Sequence, residues 1–157
     1  MDPKVILVSR FGGEYEEGVV SGAHKNPLKV KRFLEDKNIL LKFIFFEGKI
    51  ANPKRDLLLK SRLKGFLKVV VNGVFLAFYL FSVQKQFTHL QCHHPRYLWL
   101  YGFFKGRNKK IIGKAHGTAI PEMKANAYGG FKGFAVSINE RMLYYLDRVG
   151  LRHCEIV

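Results

Sequence analysis

Four soft donors fall within six positions of this 157-residue chain, His89, Cys92, His93 and His94. Thiolate and imidazole are zinc ligands, but a structural zinc site takes two spaced pairs of them. His116, His153 and Cys154 could supply the second pair only through the fold, so no metal is expected and the cluster reads as polar loop residues near a phosphate. Hydrolytic or nuclease chemistry needs carboxylates as metal ligands or as acid and base. Glu122, Glu140, Asp147 and Glu155 are scattered, and Ser9, Ser21, Ser61, Ser82 and Ser137 stand in no Gly-x-Ser-x-Gly setting. No catalytic residue and no cofactor is therefore expected, and the chain is not read as an enzyme. Gly129-Gly130-Phe131-Lys132-Gly133 precedes a helical pattern, where backbone N–H groups receive phosphate. It lacks both the P-loop ending and the dinucleotide glycine spacing; contact of Lys132 with a nucleic-acid backbone is the simpler expectation.

The cations speak more clearly. Residues 57–121 hold eleven Lys or Arg and four His without one Asp or Glu, and the chain carries a net charge of +15. Lys and Arg that neutralise phosphates and release counterions are the sequence-independent core of nucleic-acid binding. RNA is the expected partner, held by Lys60, Arg62, Lys64, Lys68, Lys105, Arg107, Asn108, Lys109, Lys110, Lys114 and Lys132. Two cysteines make no disulfide framework and suit a reducing compartment. Met1-Asp2-Pro3-Lys4 shows no targeting pattern, and the 14 Phe beside abundant Lys fit the codon bias of an AT-rich, organellar genome.

These groups need elements to hold them. Residues 4–10 predict a buried strand ended by Gly12-Gly13, and 39–46 a second ended by Gly48. Asn26-Pro27 and Asn52-Pro53 each read as a helix start, the second opening a helix with Lys54, Arg55, Lys60, Arg62 and Lys64 on its wet face. Asn72-Gly73 between two apolar runs is a type I′ hairpin signal, pairing 67–71 with 74–81. The uncharged stretch 69–83, flanked by Lys68 and Lys85, is short for a membrane span. Residues 84–96 read as polar and irregular; 97–104 and 109–115 predict a second hairpin with a basic tip at 105–108. Tyr97, Trp99 and Tyr101 would share one strand face, as core or as a stacking platform. Ala135, Ile138, Met142, Leu143, Leu146 and Val149 predict a helix over 134–149, with Asn139 an alternative cap, Gly150 its stop and 151–157 a last strand. The expected architecture is one α+β domain over 1–157, an N-terminal region (1–56) and a basic region (57–157), with a mixed or antiparallel sheet, two hairpins and about three helices.

From Tyr97 the order strand, basic turn, strand, glycine-rich loop, helix, Gly, strand resembles the small-subunit ribosomal protein family numbered eleven. Pro121-Glu122-Met123-Lys124, Gly130-Phe131-Lys132-Gly133, Phe134-Ala135, Gly150 and Cys154-Glu155-Ile156-Val157 stand in corresponding places. The family's Asn-rich motif, its Lys-Gly-Pro-Gly segment and its basic tail are not recognisable, so the chain would be a divergent or truncated member. The resemblance implies a ribonuclease-H-like C-terminal half and an architectural role on ribosomal RNA beside neighbouring ribosomal proteins, with no small-molecule substrate; the Phe and Lys bias points to a mitochondrial or other organellar ribosome, with a cytoplasmic ribosome the alternative. Two alternatives stand beside it: a small basic subunit of a membrane complex spanning at 69–83, and a nucleic-acid-processing enzyme. If six to ten phosphates are contacted, RNA affinity falls by about 10³–10⁵ between roughly 50 and 200 mM salt; a filter-binding titration with a flat salt response removes the RNA reading.

Overall fold

The computed structural model describes residues 3–12, 22–106, 109–114 and 130–156. Six strands, β1 (Val5–Gly12), β2 (Leu40–Gly48), β3 (Asp56–Leu58), β4 (His89–Cys92), β5 (Lys110–Gly113) and β6 (Glu155–Ile156), form one sheet in the order β3-β2-β1-β4-β5-β6. Every pairing is parallel. The helices are α1 (Gly22–Asp36), α2 (Gly65–Ser82), α3 (Tyr101–Phe104) and α4 (Gly130–Leu151), with a 3-10 helix at Pro95–Leu98. The fold is therefore α/β, and the antiparallel or mixed sheet with two hairpins is overturned.

Strand periodicity explains the two cores. Val5, Leu7, Phe43 and Phe45 point to one face, where α1 supplies Leu34 and, half-buried, Leu28 and Val30. Ile6, Val8, Ile44, Phe46, Leu90, Cys92 and Ile111 point to the other, against Leu76 and Leu80 of α2, Tyr97, Leu98, Tyr101 and Leu146 of α4. Parallel strands need crossovers, and these are right-handed almost without exception. Steps running from β1 toward β3 thus leave their helix on one side of the sheet, and steps toward β6 leave theirs on the other.

The first expected hairpin is instead the single helix α2. Val69, Asn72, Gly73, Leu76, Ala77 and Leu80 form its buried stripe, and a Cβ on Gly73 would stand 2.3 Å from Trp99 Nε1. Gly73 is there for close approach between segments, not for a turn. The second hairpin dissolves too: residues 95–104 coil into the 3-10 helix and α3, while β5 pairs with β4 and β6. Tyr97 and Tyr101 are buried in those coils, so no strand carries a stacking platform.

Other boundaries move for local reasons. Asn52 starts a turn, its carbonyl accepting from the Arg55 and Asp56 N–H groups and its side chain from Lys54 N–H. The turn stops there because Asp56 is drawn into β3. Its carboxylate accepts from the Ala51 and Asn52 N–H groups at 3.1 and 2.8 Å and from Lys31 Nζ at 2.7 Å. The expected basic helix face at 54–64 accordingly does not form. Pro27 lies inside α1 rather than at its start. Gly150 lies inside α4, against the Pro95 carbonyl. The stretch 84–96 contains β4, next to the central strand.

Asp56 and Lys31 are both buried. Lys31 also has Glu35 at 4.0 Å, so Asp56→Ala leaves its buried charge only weakly compensated and should cost about 3 kcal/mol. Urea unfolding of the two proteins measures it.

A basic crevice at the carboxyl ends of the strands

In an open parallel sheet the chain leaves neighbouring strands toward opposite faces at one point, and a crevice opens beyond their carboxyl ends. Here that point lies between β1, which continues to β2, and β4, which continues to β5. A cavity of about 300 Å³ is found there, lined by Arg10 from β1, Glu47 from β2, Lys64, Gly65, Lys68 and Val69 at the start of α2, and His94, Arg96 and Tyr97 after β4. Leu63 and Leu143 complete the wall.

Each side chain is placed by a local constraint. Arg10 and Glu47 end their strands just before the glycine pair Gly12↔Gly48. Their side chains meet at 3.3 Å, and Lys68 Nζ shares the same Glu47 oxygen at 2.5 Å. Burial alone would raise the Glu47 carboxyl; the Lys68 hydrogen bond and the charges of Arg10 and Lys68 outweigh it and hold the group below its ordinary value. Arg96 makes a forked pair with Asp147 of α4, at 3.0 and 2.6 Å, which fixes its plane. Tyr97 stacks on Phe46 with ring centroids 3.9 Å apart, and burial pushes its hydroxyl up to about 12.

The floor is the amino end of α2. Lys64 is extended and Gly65 takes a left-handed φ of 57°, a conformation that glycine adopts at least cost. The Phe66 N–H is capped from another helix, by Asn139 Oδ1 of α4 at 2.7 Å. Asn139 therefore caps α2 from within α4 and does not begin a helix of its own. Four cations face two carboxylates here, counting Asp147, so the crevice keeps an excess of two positive charges. The α2 dipole adds partial positive charge at the same spot. Such a site can hold an anion and orient it against the Tyr97, Val69 and Leu143 wall.

Of the expected RNA contacts, only Lys64 and Lys68 line this crevice. Lys60 and Arg62 are exposed just before α2. Lys109 and Lys110 lie at the opposite, amino edge of the sheet; the Lys109 ammonium binds the Phe87 carbonyl and sits over that residue's ring, and Lys110 is exposed. Lys105 donates to the His153 carbonyl at 3.2 Å, and Lys114 is exposed beyond β5. Arg107 and Asn108 lie outside the described residues. Lys132 falls within α4 rather than in a loop before it. The soft donors separate: Cys92 is buried in the core, its thiol pushed up by burial, His89 bonds Thr88 at 2.8 Å, and His94 turns to the crevice. Among the described residues no three metal-binding side chains converge.

Arg10, Glu47 and Arg96 were not among the expected site residues, and Tyr97 was expected on a strand face, as core or as a stacking platform. Arg10 and Glu47 each sit at the end of an apolar strand before a glycine, a position that points at ligand only once the sheet is known to be parallel. No protein family matches this chain, and no curated protein is significantly similar to it.

Glu47 stabilises the fold while ionised. Its folded-state value is lowered, so that contribution is full above the ordinary 4.5 and is lost as the pH falls through the lowered value. Glu47→Gln should melt below the parent at neutral pH, and the gap should close in the acid range below about 4.5; calorimetric melts across pH test this.

Proposed function

We propose that this domain binds a phosphate-bearing small molecule in the crevice beyond β1 and β4. The observation that carries the reading is coincidence: Arg10, Lys64, Lys68 and Arg96, drawn from three separated stretches of chain, converge where a doubly wound sheet ordinarily takes its ligand. The start of α2 gives the phosphate a helix amino end, and Lys64 is exposed with no acidic partner among the described residues. The sequence around Gly12-Gly13 at the end of β1 lacks the Gly-x-Gly-x-x-Gly spacing, which argues for phosphate recognition by side chains more than by a glycine-rich cradle.

A second reading keeps ribosomal RNA as the partner. It is favoured by the net charge of +15 and by Lys60, Arg62 and Lys64, exposed at every second position on the approach to α2. The hairpins through which the ribosomal-family resemblance would present its cations are absent, so this reading rests on charge and not on architecture. A membrane-complex subunit with a span at 69–83 would take from the sheet the helix that covers it.

Isothermal titration with inorganic pyrophosphate and with nucleoside diphosphates separates the first two. Saturable one-to-one binding is expected, weakened roughly tenfold by Arg10→Ala or Lys64→Ala, with Glu47→Gln tightening it by freeing two cations. Binding that does not saturate, or that ignores Arg10 and Lys64, rejects the crevice; tight, steeply salt-dependent RNA binding in its place favours the second reading.

A further inference from the structure

α2 is long and apolar enough to cross a bilayer, alone in this among the described helices. One stripe of it is committed to the sheet, so its composition needs another explanation. A helix that covers a sheet ordinarily turns polar side chains to water. α2 turns out Phe75, Phe78 and Phe81, 48%, 69% and 36% exposed. Spaced by three residues, they are neighbours on the helix surface.

The apolar surface does not stop with α2. The Phe81 ring meets Phe104 edge-on at 6.3 Å, and Phe104 and its neighbour Phe103 are 63% and 61% exposed. Five phenylalanines thus form one ridge across two helices. Single exposed apolar side chains are ordinary, but a continuous set marks a surface that meets something other than water.

The rim of the ridge carries one sign of charge. A Cβ on Gly106 would lie 2.9 Å from Gln84 Nε2 and 3.9 Å from Lys109 Cγ. The chain at 84–85, 105–106 and 109 is therefore gathered at one end of the ridge, bringing exposed Lys85 there. At its flank the His153 ring packs on Phe103 with centroids 4.7 Å apart, followed back along the chain by exposed Arg152. No Asp or Glu occurs anywhere in 57–121, the stretch that builds the ridge.

These features choose among occupants. A second copy of the chain would set two cationic rims against each other. An anionic lipid surface meets both demands, with hydrocarbon for the rings and phosphates for the ammonium and guanidinium groups. We propose that the ridge of Phe75, Phe78, Phe81, Phe103 and Phe104 docks this domain flat on an anionic bilayer, with Lys85 and Arg152 on the lipid headgroups. The helix lies in the interface and does not span it, so the sheet keeps its cover while bound.

Co-sedimentation with phosphatidylglycerol-containing vesicles, beside vesicles of phosphatidylcholine alone, tests the docking. The protein is expected to pellet with the anionic vesicles and not with the neutral ones. Phe78→Ser and Phe104→Ser, at exposed positions, should each weaken binding by roughly tenfold with the melting temperature unchanged. In Phe78→Trp the new indole should be quenched by brominated lipid. Failure to pellet with anionic vesicles, full binding by the Phe78→Ser/Phe104→Ser double variant, or an unquenched indole overturns the proposal. So does a lipid-free dimer, seen by sedimentation velocity, that Phe78→Ser dissolves, since the ridge then belongs to a second copy.

Discussion

β1 is hydrogen-bonded along both edges, to β2 on one side and β4 on the other, and residues 5–9 are buried on both faces. That double burial is the constraint on which the rest depends. A strand covered above and below needs apolar side chains at odd and even positions alike, which Val5-Ile6-Leu7-Val8 supplies. It also needs helices on both sides, and right-handed crossovers deliver them only if the chain winds outward from β1 in both directions. The crevice is a by-product of this winding. Where the connections part, the crevice opens beyond the carboxyl ends of β1 and β4, and the charged residues near the ends of β1 and β2 face the start of α2 across it.

The division of the sheet's faces also explains which signals in the sequence could be read. β1 and β2 are continuous apolar runs, so their existence was legible, as was the helical period behind α4. β4 was not: His89 and Gln91 alternate with buried Leu90 and Cys92, and α1, the helix on that face, packs on β1 and β2. A central strand with one half-wet face looks like a loop when the sheet is unknown. Asn72-Gly73 failed in the opposite sense. The pair is a strong local turn signal, but Gly73 serves contact with Trp99, a partner outside any local window. Asn52-Pro53 did begin a turn, and the buried ion pair at Asp56 ended it.

The candidate site was legible only in part for the same reason. Lys64 and Lys68 stood out because cations were counted along the chain. Arg10, Glu47 and Arg96 come from other stretches and meet only when β1, β2 and β4 lie side by side. Charge clustering in sequence pointed instead to residues 105–110, where Lys105 and Lys109 are occupied with backbone carbonyls. Composition thus shows the sign of charge the protein presents, but not where the cations meet. The absence of acids over 57–121 leaves both the mouth of the crevice and the surroundings of the aromatic ridge open to anions, at opposite ends of α2.

The pairing of β1 with β4 has a consequence for how the chain reaches this state. Val5 finds His89, and Lys4 finds Thr88 at a separation of 84 residues. Contacts so distant in sequence form slowly, because the loop entropy is lost before they are made. A growing chain emerges amino end first, so β1, α1 and β2 can assemble early with one edge of β1 still unpaired. That edge is a row of free N–H and C=O groups on the most apolar strand of the molecule, open to any other strand until residue 92 arrives. The strand that organises the finished sheet is, during synthesis, its most exposed point of misassembly.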